Sequence, residues 1–530
     1  MRDLMITVVS SAAIIMASYL NFLRFNEYPF LTPEVLIVAA GILLLTASIS
    51  LLYQSQKALG RAILEGLLIF FVLDQNTAGI LYSTLAGATI IAIVLWRKKS
   101  TLPFLGTAAF LTLLISIAGI GSVSQSAPDK MAIKELKMGR PDSEKPPALL
   151  HVIFDEHSGI EGFPADNNHS RLMKKDLQEF YQKRNFRLFG RAYSEHLHTV
   201  NSIPQILNFG ALQNSGPTRM EGGQVKRNAY FSYLQKRGYD IKVLQSDYLD
   251  YCSYAKVVDC ETYGNASLSM LSQTPISIGQ RAQLIVVRFF TLSQNFKNIG
   301  YIYLLAGRKL KKWGVNLPSL GLKSEGRVSS LNAFIATDGF RKKLEKAKAG
   351  EAFFAHLLLP HYPYVLTSGC NVKPVSNWRL RRSAEALHLK QNAYFEQIKC
   401  ITHKLDSFIL ALERSPAKED FVIIVHGDHG SRITTLDPIV ENVGAFNDKD
   451  MLAGFSTLFA VRATGVKVGY VNQAAPVSAL LKNFSEQGFL KAPAPPLTSG
   501  GLVTLDDANW KPTRSYSLPK SWLNAGQVRP

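Results

Sequence analysis

The stretch Phe421–Gly430, FVIIVHGDHG, decides how this chain folds. Five apolar, mostly β-branched residues, Phe421 to Val425, have the pattern of a buried strand. The run stops at His426-Gly427, and Asp428, His429 and Gly430 follow. An acid and an imidazole side by side at the carboxyl end of a central strand suit a Zn²⁺ or Mn²⁺ ion. Open α/β sheets place their ligands at that edge. Alone, the same residues also describe a polar loop after a strand, so their meaning depends on the rest of the chain.

Working outward, the alternation continues. Leu149–Phe154, Phe186–Phe189, Ile241–Gln245 and Phe353–Leu359 have the composition of strands. Ser170–Arg184 has helical spacing, and Asn228–Arg237 is a helix stopped by Gly238. Tyr394, Ile398, Ile401, Leu405, Phe408 and Leu412 repeat at four and three, the stripe of a helix packed on a sheet. Strands alternating with helices predict an α/β domain with a largely parallel sheet.

Three further elements precede Asp428-His429 in chain order, each at a strand end or a helix start. LLHVIF runs into Asp155-Glu156-His157-Ser158, which puts carboxylates where a metal can be held. His198-Thr199-Val200-Asn201-Ser202-Ile203-Pro204 follows. A Thr hydroxyl becomes a nucleophile only when a metal or base lowers its pKa, and a helix start adds donors for an anion. The bland reading makes Thr199 a helix N-cap. FFAHLLLPHYPYV carries His356 on the face of Phe354 and Leu358, which suits a core or supporting histidine. His361, between Pro360 and Tyr362-Pro363, suits proton transfer or a phosphate contact. Each element is weak alone, and the four in this order are strong.

Residues 1–123 differ from the rest. Apolar runs cover Met5–Leu23, Val35–Tyr53, Arg61–Leu73, Gly79–Trp96 and Pro103–Val123, and about 20 residues span a bilayer. The third run is short and carries Glu65. Paired with the fourth through the Asp74–Thr77 turn, it would make a helical hairpin. Five spans are expected, with four the fallback. Lys57 and Arg61, then Arg97, Lys98 and Lys99, mark two cytoplasmic loops, which puts everything after Val123 outside. Residues 124–147 read as a polar linker, and 148–530 as the outer catalytic domain. Arg281–Trp313 interleaves apolar residues with Arg and Lys; a membrane-surface insert and a helical pair packed on the domain fit it equally.

Residues 1–123 carry seven Lys/Arg and five Asp/Glu, so nearly all of the net charge of +19 lies in the outer domain. That balance fits anionic lipid headgroups or an acidic envelope polymer, or plain solubility, and argues against nucleic acid in an outer compartment. All four cysteines fall there. In an oxidising compartment they predict two disulfides, Cys252 with its close neighbour Cys260, leaving Cys370 with Cys400.

In HVIFDEHSG, T-V-N-S-I-P, L-P-H-Y-P-Y and H-G-D-H-G, in this order after several spans, the chain resembles the sulfatase-like branch of the alkaline phosphatase superfamily. Its architecture is similar to membrane-anchored phosphoglycerol and phosphoethanolamine transferases, including lipoteichoic acid synthase. The resemblance implies an N-terminal transmembrane bundle and an extracytoplasmic alkaline-phosphatase-like α/β domain in a bacterial inner membrane. It implies Glu156, with Asp155 adjacent, as the first metal ligand, Thr199 as nucleophile and ligand, Asp428 and His429 as further ligands, and His361 as a substrate contact. The cofactor would be a divalent ion, Zn²⁺ or Mn²⁺ ahead of Ca²⁺ or Mg²⁺. The donor would be a phospholipid and the acceptor an envelope glycan or glycolipid. Two departures stand out: the doubled acid at Asp155-Glu156, and His426 where Ser or Thr is usual. The C-x-P-S-R motif of true sulfatases is absent. A tethered hydrolase with water as acceptor, and a non-catalytic glycan-binding domain, are the alternatives.

Overall fold

The computed structural model describes residues 2–76, 80–97, 99–109, 145–164, 168–211, 225, 228–253, 257–264, 268–291, 328–379, 386–434, 438–495, 500–507 and 510–525. The chain divides into two compact units. One holds residues 1–133, 267–327 and 374–376; the other holds 134–266, 328–373 and 377–530.

Four helices open the first unit: Arg2–Phe25, Pro33–Ser55, Ala58–Asn76 and Ile80–Arg97. Two of them, over Met5–Phe25 and Pro33–Ser55, are long and apolar enough to cross a membrane among the described residues. The third and fourth pack as the expected hairpin. They approach closely at Gly66 and Gly87; a Cβ on Gly66 would collide with the Ile91 side chain and Gly87 O. Glu65, the residue that weakened the third run, is buried. Tyr53 Oη (2.5 Å), Ser100 Oγ (2.6 Å), Thr101 Oγ1 (2.5 Å) and Thr101 N (2.9 Å) all donate to it. Most of the fifth expected span, and most of the linker, lie outside the described residues.

The described start of the Arg281–Trp313 stretch falls in this unit rather than with the sheet. Helix Ile278–Thr291 packs on Pro33–Ser55. Phe289 meets the rings of Tyr19 and Phe22, and Arg281 Nε lies 3.3 Å from buried Glu34. The remainder of that stretch, from residue 292, lies outside the described residues.

The second unit is built on ten strands: β1 Ala148–Phe154, β2 Arg187–Tyr193, β3 Asp240–Ser246, β4 Val257–Tyr263, β5 Glu351–Leu357, β6 Phe421–Gly427, β7 Phe459–Arg462, β8 Gly469–Pro476, β9 Leu502–Asp506 and β10 Pro512–Ser517. The first eight form one sheet in the order β4-β3-β5-β1-β6-β7-β2-β8, and β9-β10 form a separate hairpin. All pairings in the large sheet are parallel except those of β7 with β6 and with β2. The largely parallel sheet expected from the alternation is therefore present, with one short antiparallel strand inside it.

Every residue of β1 and β6 is buried, as continuous apolar strands covered on both faces must be. One face packs Ile153, Phe354 and Ile424 with Ile203, Tyr230, Phe231 and Leu480. The helix expected from Tyr394 to Leu412 runs from Leu387 to Glu413, and its Tyr394, Ile398, Ile401, Leu405, Phe408 and Leu412 are all buried. Asn228 caps Ala229–Lys236 by accepting from Phe231 N. Thr199 is not a cap: His198 takes the N-cap position, and Thr199 is the first residue of helix Thr199–Leu207. Both expected disulfides form, Cys252–Cys260 and Cys370–Cys400.

Candidate metal and phosphoryl-transfer site

β1, β5 and β6 are neighbours, and their carboxyl ends bring three of the motifs to one edge. Asp155 N donates to Leu357 O (3.0 Å), which fixes the end of β1 against β5. The glycines of HGDHG are there for close approach. A Cβ on Gly427 would collide with Thr457 Oγ1 and His157 O, and one on Gly430 with Ala453 O. Asp428 Oδ1 accepts from the amides of Glu156 and His429, both at 2.9 Å, so one carboxylate joins the β1 and β6 loops.

The side chains converge around Asp155. Its carboxylate, His356 and Asp428 offer ligand atoms that all lie within 4.8 Å of one another, and so do Asp155, Glu156 and His361. Thr199 Oγ1 donates to Asp155 Oδ2 at 3.4 Å and lies 3.2 Å from His429 Nε2. Thr199, Asp155, Asp428, His429 and His356 are all buried. Asn201 N and Ser202 N both donate to His198 O, so the Thr199 and Val200 amides precede the first bonded turn.

Proton assignment at His429 tests the fit of a cation. Its Nδ1 sits 2.9 Å from Gly430 O, and a carbonyl can only accept. Nδ1 therefore carries a hydrogen, and in the neutral tautomer Nε2 presents a lone pair. That lone pair lies 3.1 Å from Asp428 Oδ2. Two electron-rich atoms at this distance repel unless a cation or a proton lies between them. Asp428 Oδ2, Asp155 Oδ1 and His356 Nε2 are buried with no hydrogen-bond partner among the described residues. Burial pushes the Asp155 and Asp428 pKa values up, and the negative charge of Glu156 and of Asp155, respectively, adds to the effect. Burial also pushes His356 down, which keeps its ring neutral. Carboxylate and imidazole donors in this arrangement fit a divalent ion.

The two adjacent acids have different partners. Glu156, the closest match to the first ligand by resemblance, forms a buried ion pair with Arg432, whose Nε lies 3.2 Å from Glu156 Oε1. Both residues have left-handed backbones, φ 65° and 52°, a conformation uncommon outside glycine. Burial disfavours the Arg432 charge, but Glu156 more than compensates and the pKa is raised. His361 Nδ1 donates to Tyr362 O (2.5 Å), so Nε2 faces Glu156 Oε1 at 3.8 Å. His361 is thus brought to the site on the Glu156 side, and Asp155 stands between it and Asp428.

Several site residues escaped the sequence reading. His356 was read as a core or supporting residue, yet its Nε2 is 3.6 Å from Asp155 Oδ2. Tyr251 Oη lies 3.1 Å from His356 Nδ1 and orients the ring. Arg432, two residues past Gly430, carried no sequence signal, since its role depends on contact with Glu156 from another strand. On the far side of Thr199, His198 Nδ1 lies 2.5 Å from Asp506 Oδ2 at the end of β9, and Trp510 stacks on the imidazole. Burial holds the Asp506 carboxyl up, to about 7.

No protein-family model matches the chain, and no curated protein matches it in sequence. It is similar to several solved structures. The periplasmic domain of EptC from Escherichia coli, in a complex with Zn, aligns at 11% identity and TM-score 0.41, covering 73% of this chain and 98% of that one. The phosphonate monoester hydrolase of Agrobacterium radiobacter aligns at 11% and 0.39, covering 68% and 81%. An alkaline phosphatase superfamily protein from Vibrio parahaemolyticus aligns at 11% and 0.37, covering 68% and 73%. These scores carry no inference to chemistry, which rests on the residues described above.

Proposed function

We propose that the chain is a metal-dependent phosphotransferase that moves a phospho-alcohol group, phosphoglycerol or phosphoethanolamine, from a lipid donor to an envelope glycan or glycolipid. The observation that carries this reading is the position of Thr199: a buried hydroxyl at a helix start, within 3.4 Å of Asp155 and 3.2 Å of His429. Asp155, Asp428, His429 and Thr199 would hold the ion, with His356 beside them. We assign the strand-end ligand to Asp155 rather than Glu156, because Arg432 already neutralises Glu156. When bound, the ion supplies positive charge that lowers the Thr199 hydroxyl pKa and steadies phosphoryl oxygens.

In the first step Thr199 Oγ1 bonds to the donor phosphorus and the bond to the lipid alcohol breaks. The Thr199 proton leaves along its hydrogen bond to Asp155 and is passed on to the departing lipid alkoxide. His361, with Nε2 on the open side of the site, is placed to contact the phosphoryl oxygens or move that proton. In the second step an acceptor hydroxyl bonds to phosphorus, the bond to Thr199 Oγ1 breaks, and Thr199 regains its proton. The lipid donor is supported by the apolar helices Met5–Phe25 and Pro33–Ser55, which would anchor the protein in a bacterial inner membrane, multi-pass, with the sheet unit outside. Water in place of the acceptor would make the same site a phosphodiesterase.

Thr199→Ala tests the reading. It should lower turnover of a phospholipid donor by about 10³-fold or more, as loss of a covalent nucleophile does, with an unchanged melting temperature. Retained activity would move the nucleophile elsewhere, with Ser202 the first alternative. Ser202 Oγ is committed to Asp428 O at 2.6 Å, which places it in a supporting role.

A further inference from the structure

A cavity of about 300 Å³ lies in the sheet unit, behind the two loops that carry Asp155 and Asp428. Ser158, three residues past Asp155, and Ser431, two past His429, share its wall, and Ser431 N donates to Ser158 Oγ (3.2 Å). Tyr394, also in the wall, donates from its hydroxyl to Glu156 O (2.7 Å) and accepts from Ser158 N (2.9 Å). The cavity therefore shares its walls with the candidate site but uses none of that site's ligands.

Its chemistry is mixed. Phe163 and Phe395, edge to face at 5.5 Å between centroids, give one apolar surface, and Ile433 extends it. The same wall carries Gln391, one helical turn before Phe395 and with no side-chain hydrogen bond among the described residues, and Asn447. Asn447 Oδ1 is used in capping helix Asp448–Phe455, which leaves its NH₂ group to face a ligand. Asp450, whose carboxylate accepts from Asn447 N (3.2 Å), and Lys449 also line it, one charge of each sign.

We infer that this cavity binds the acceptor as a neutral saccharide of one to two rings. Side-chain amides match hydroxyls, which both donate and accept, and apolar ring surface matches sugar C–H faces. An anionic lipid headgroup would need more than one uncompensated cation, and an acyl chain would leave the amides without partners. As the acceptor's subsite, the assignment rests on the transferase reading above; as a saccharide site, it stands on the cavity alone.

The test is saturation-transfer NMR on the full-length, Zn²⁺-loaded protein in a sugar-free detergent. Cellobiose, maltose and diacetylchitobiose are the probes, with glycerol 1-phosphate as the anionic comparison. At least one disaccharide should bind, and Gln391→Ala and Asn447→Asp should each weaken its Kd about tenfold or more. Asn447→Asp keeps the capping oxygen and removes only the NH₂ donors, so folding is preserved. Absence of disaccharide binding, an unchanged Kd in both variants, or glycerol 1-phosphate binding that the same variants weaken would each overturn the inference. Thr199→Ala should leave disaccharide binding intact. Binding with an active Thr199→Ala would sink the nucleophile and keep the cavity; an inert Thr199→Ala with no disaccharide binding would do the reverse.

Discussion

Two places in this molecule bury carboxylates, and they are built in opposite ways. Glu65, among the N-terminal helices, has all of its charge met by hydrogen bonds from Tyr53, Ser100 and Thr101. Asp155 and Asp428, at the sheet edge, each keep a buried oxygen with no donor among the described residues, and Asp428 Oδ2 lies 3.1 Å from His429 Nε2. A carboxylate inside a protein costs free energy unless its oxygens are matched. The first arrangement is complete as it stands. The second is completed by a bound cation or by protons, and that contrast sets a self-contained acid against a site able to take a ligand.

The comparison breaks most sharply on metal content. Asp428→Asn should abolish Zn²⁺ binding, read by elemental analysis of the purified protein, while Glu65→Gln should leave it unchanged. Equal occupancy in wild type and Asp428→Asn would remove the distinction.

Arg432→Met should cost about 3–5 kcal/mol in thermal or denaturant unfolding, because it strands the Glu156 charge in the interior. A loss under 1 kcal/mol would mean that Glu156 finds another cation, and that the two acids of the Asp155-Glu156 pair are not divided as described.

Glu65→Ala should cost less, about 1–3 kcal/mol, since it leaves neutral donors rather than a charge without a partner. A neutral or stabilising effect would show that those donors turn readily to other acceptors.

pH adds a smaller and more diagnostic effect. Burial, with the negative charge of Glu156 on Asp155 and of Asp155 on Asp428, raises Asp155 to about 6 and Asp428 to about 7, above an ordinary value of 3.8. At these two positions the metal-free fold therefore binds more protons than the unfolded chain. Its stability from this source is full below about pH 4 and is lost as pH rises through about 7. Added Zn²⁺ should restore it at neutral pH. Buried neutral histidines such as His151, His356 and His426 contribute with the opposite sign, so the measurement is the melting temperature of the metal-free protein relative to Asp428→Asn; a difference that does not fall across that window would contradict the pairing.

Much of the sheet was legible because burial on both faces leaves continuous apolar runs. LLHVIF and FVIIV needed no partner to be recognised, and the stripe from Tyr394 to Leu412 announced its own helix. Asp428, His429 and Thr199 were legible because each sits at a fixed offset from such a run. The division of labour between Asp155 and Glu156 was not, since it depends on a left-handed backbone at Glu156 and on Arg432 arriving from β6. His356 was hidden by its own strand: alternation placed it on an apolar face, and only the packing of β5 against β1 brings it to Asp155. The hairpin of β9 and β10, with Asp506 reaching His198 across 308 residues, left no local mark at all.

The Cys252–Cys260 bond has a consequence for when the site can exist. It closes the short connection between β3 and β4, one residue after Tyr251. Tyr251 is the residue that holds the His356 ring, and Gln245 Oε1 accepts from both Tyr251 N (2.7 Å) and Cys252 N (3.2 Å). Thiols stay reduced in the cytosol and oxidise in outer compartments. One arm of the reactive centre is thus braced by a bond that synthesis cannot provide. With the sheet unit outside, as proposed above, maturation would become a matter of location: the newly made chain carries every residue it needs, and the finished geometry would wait for the far side of the membrane.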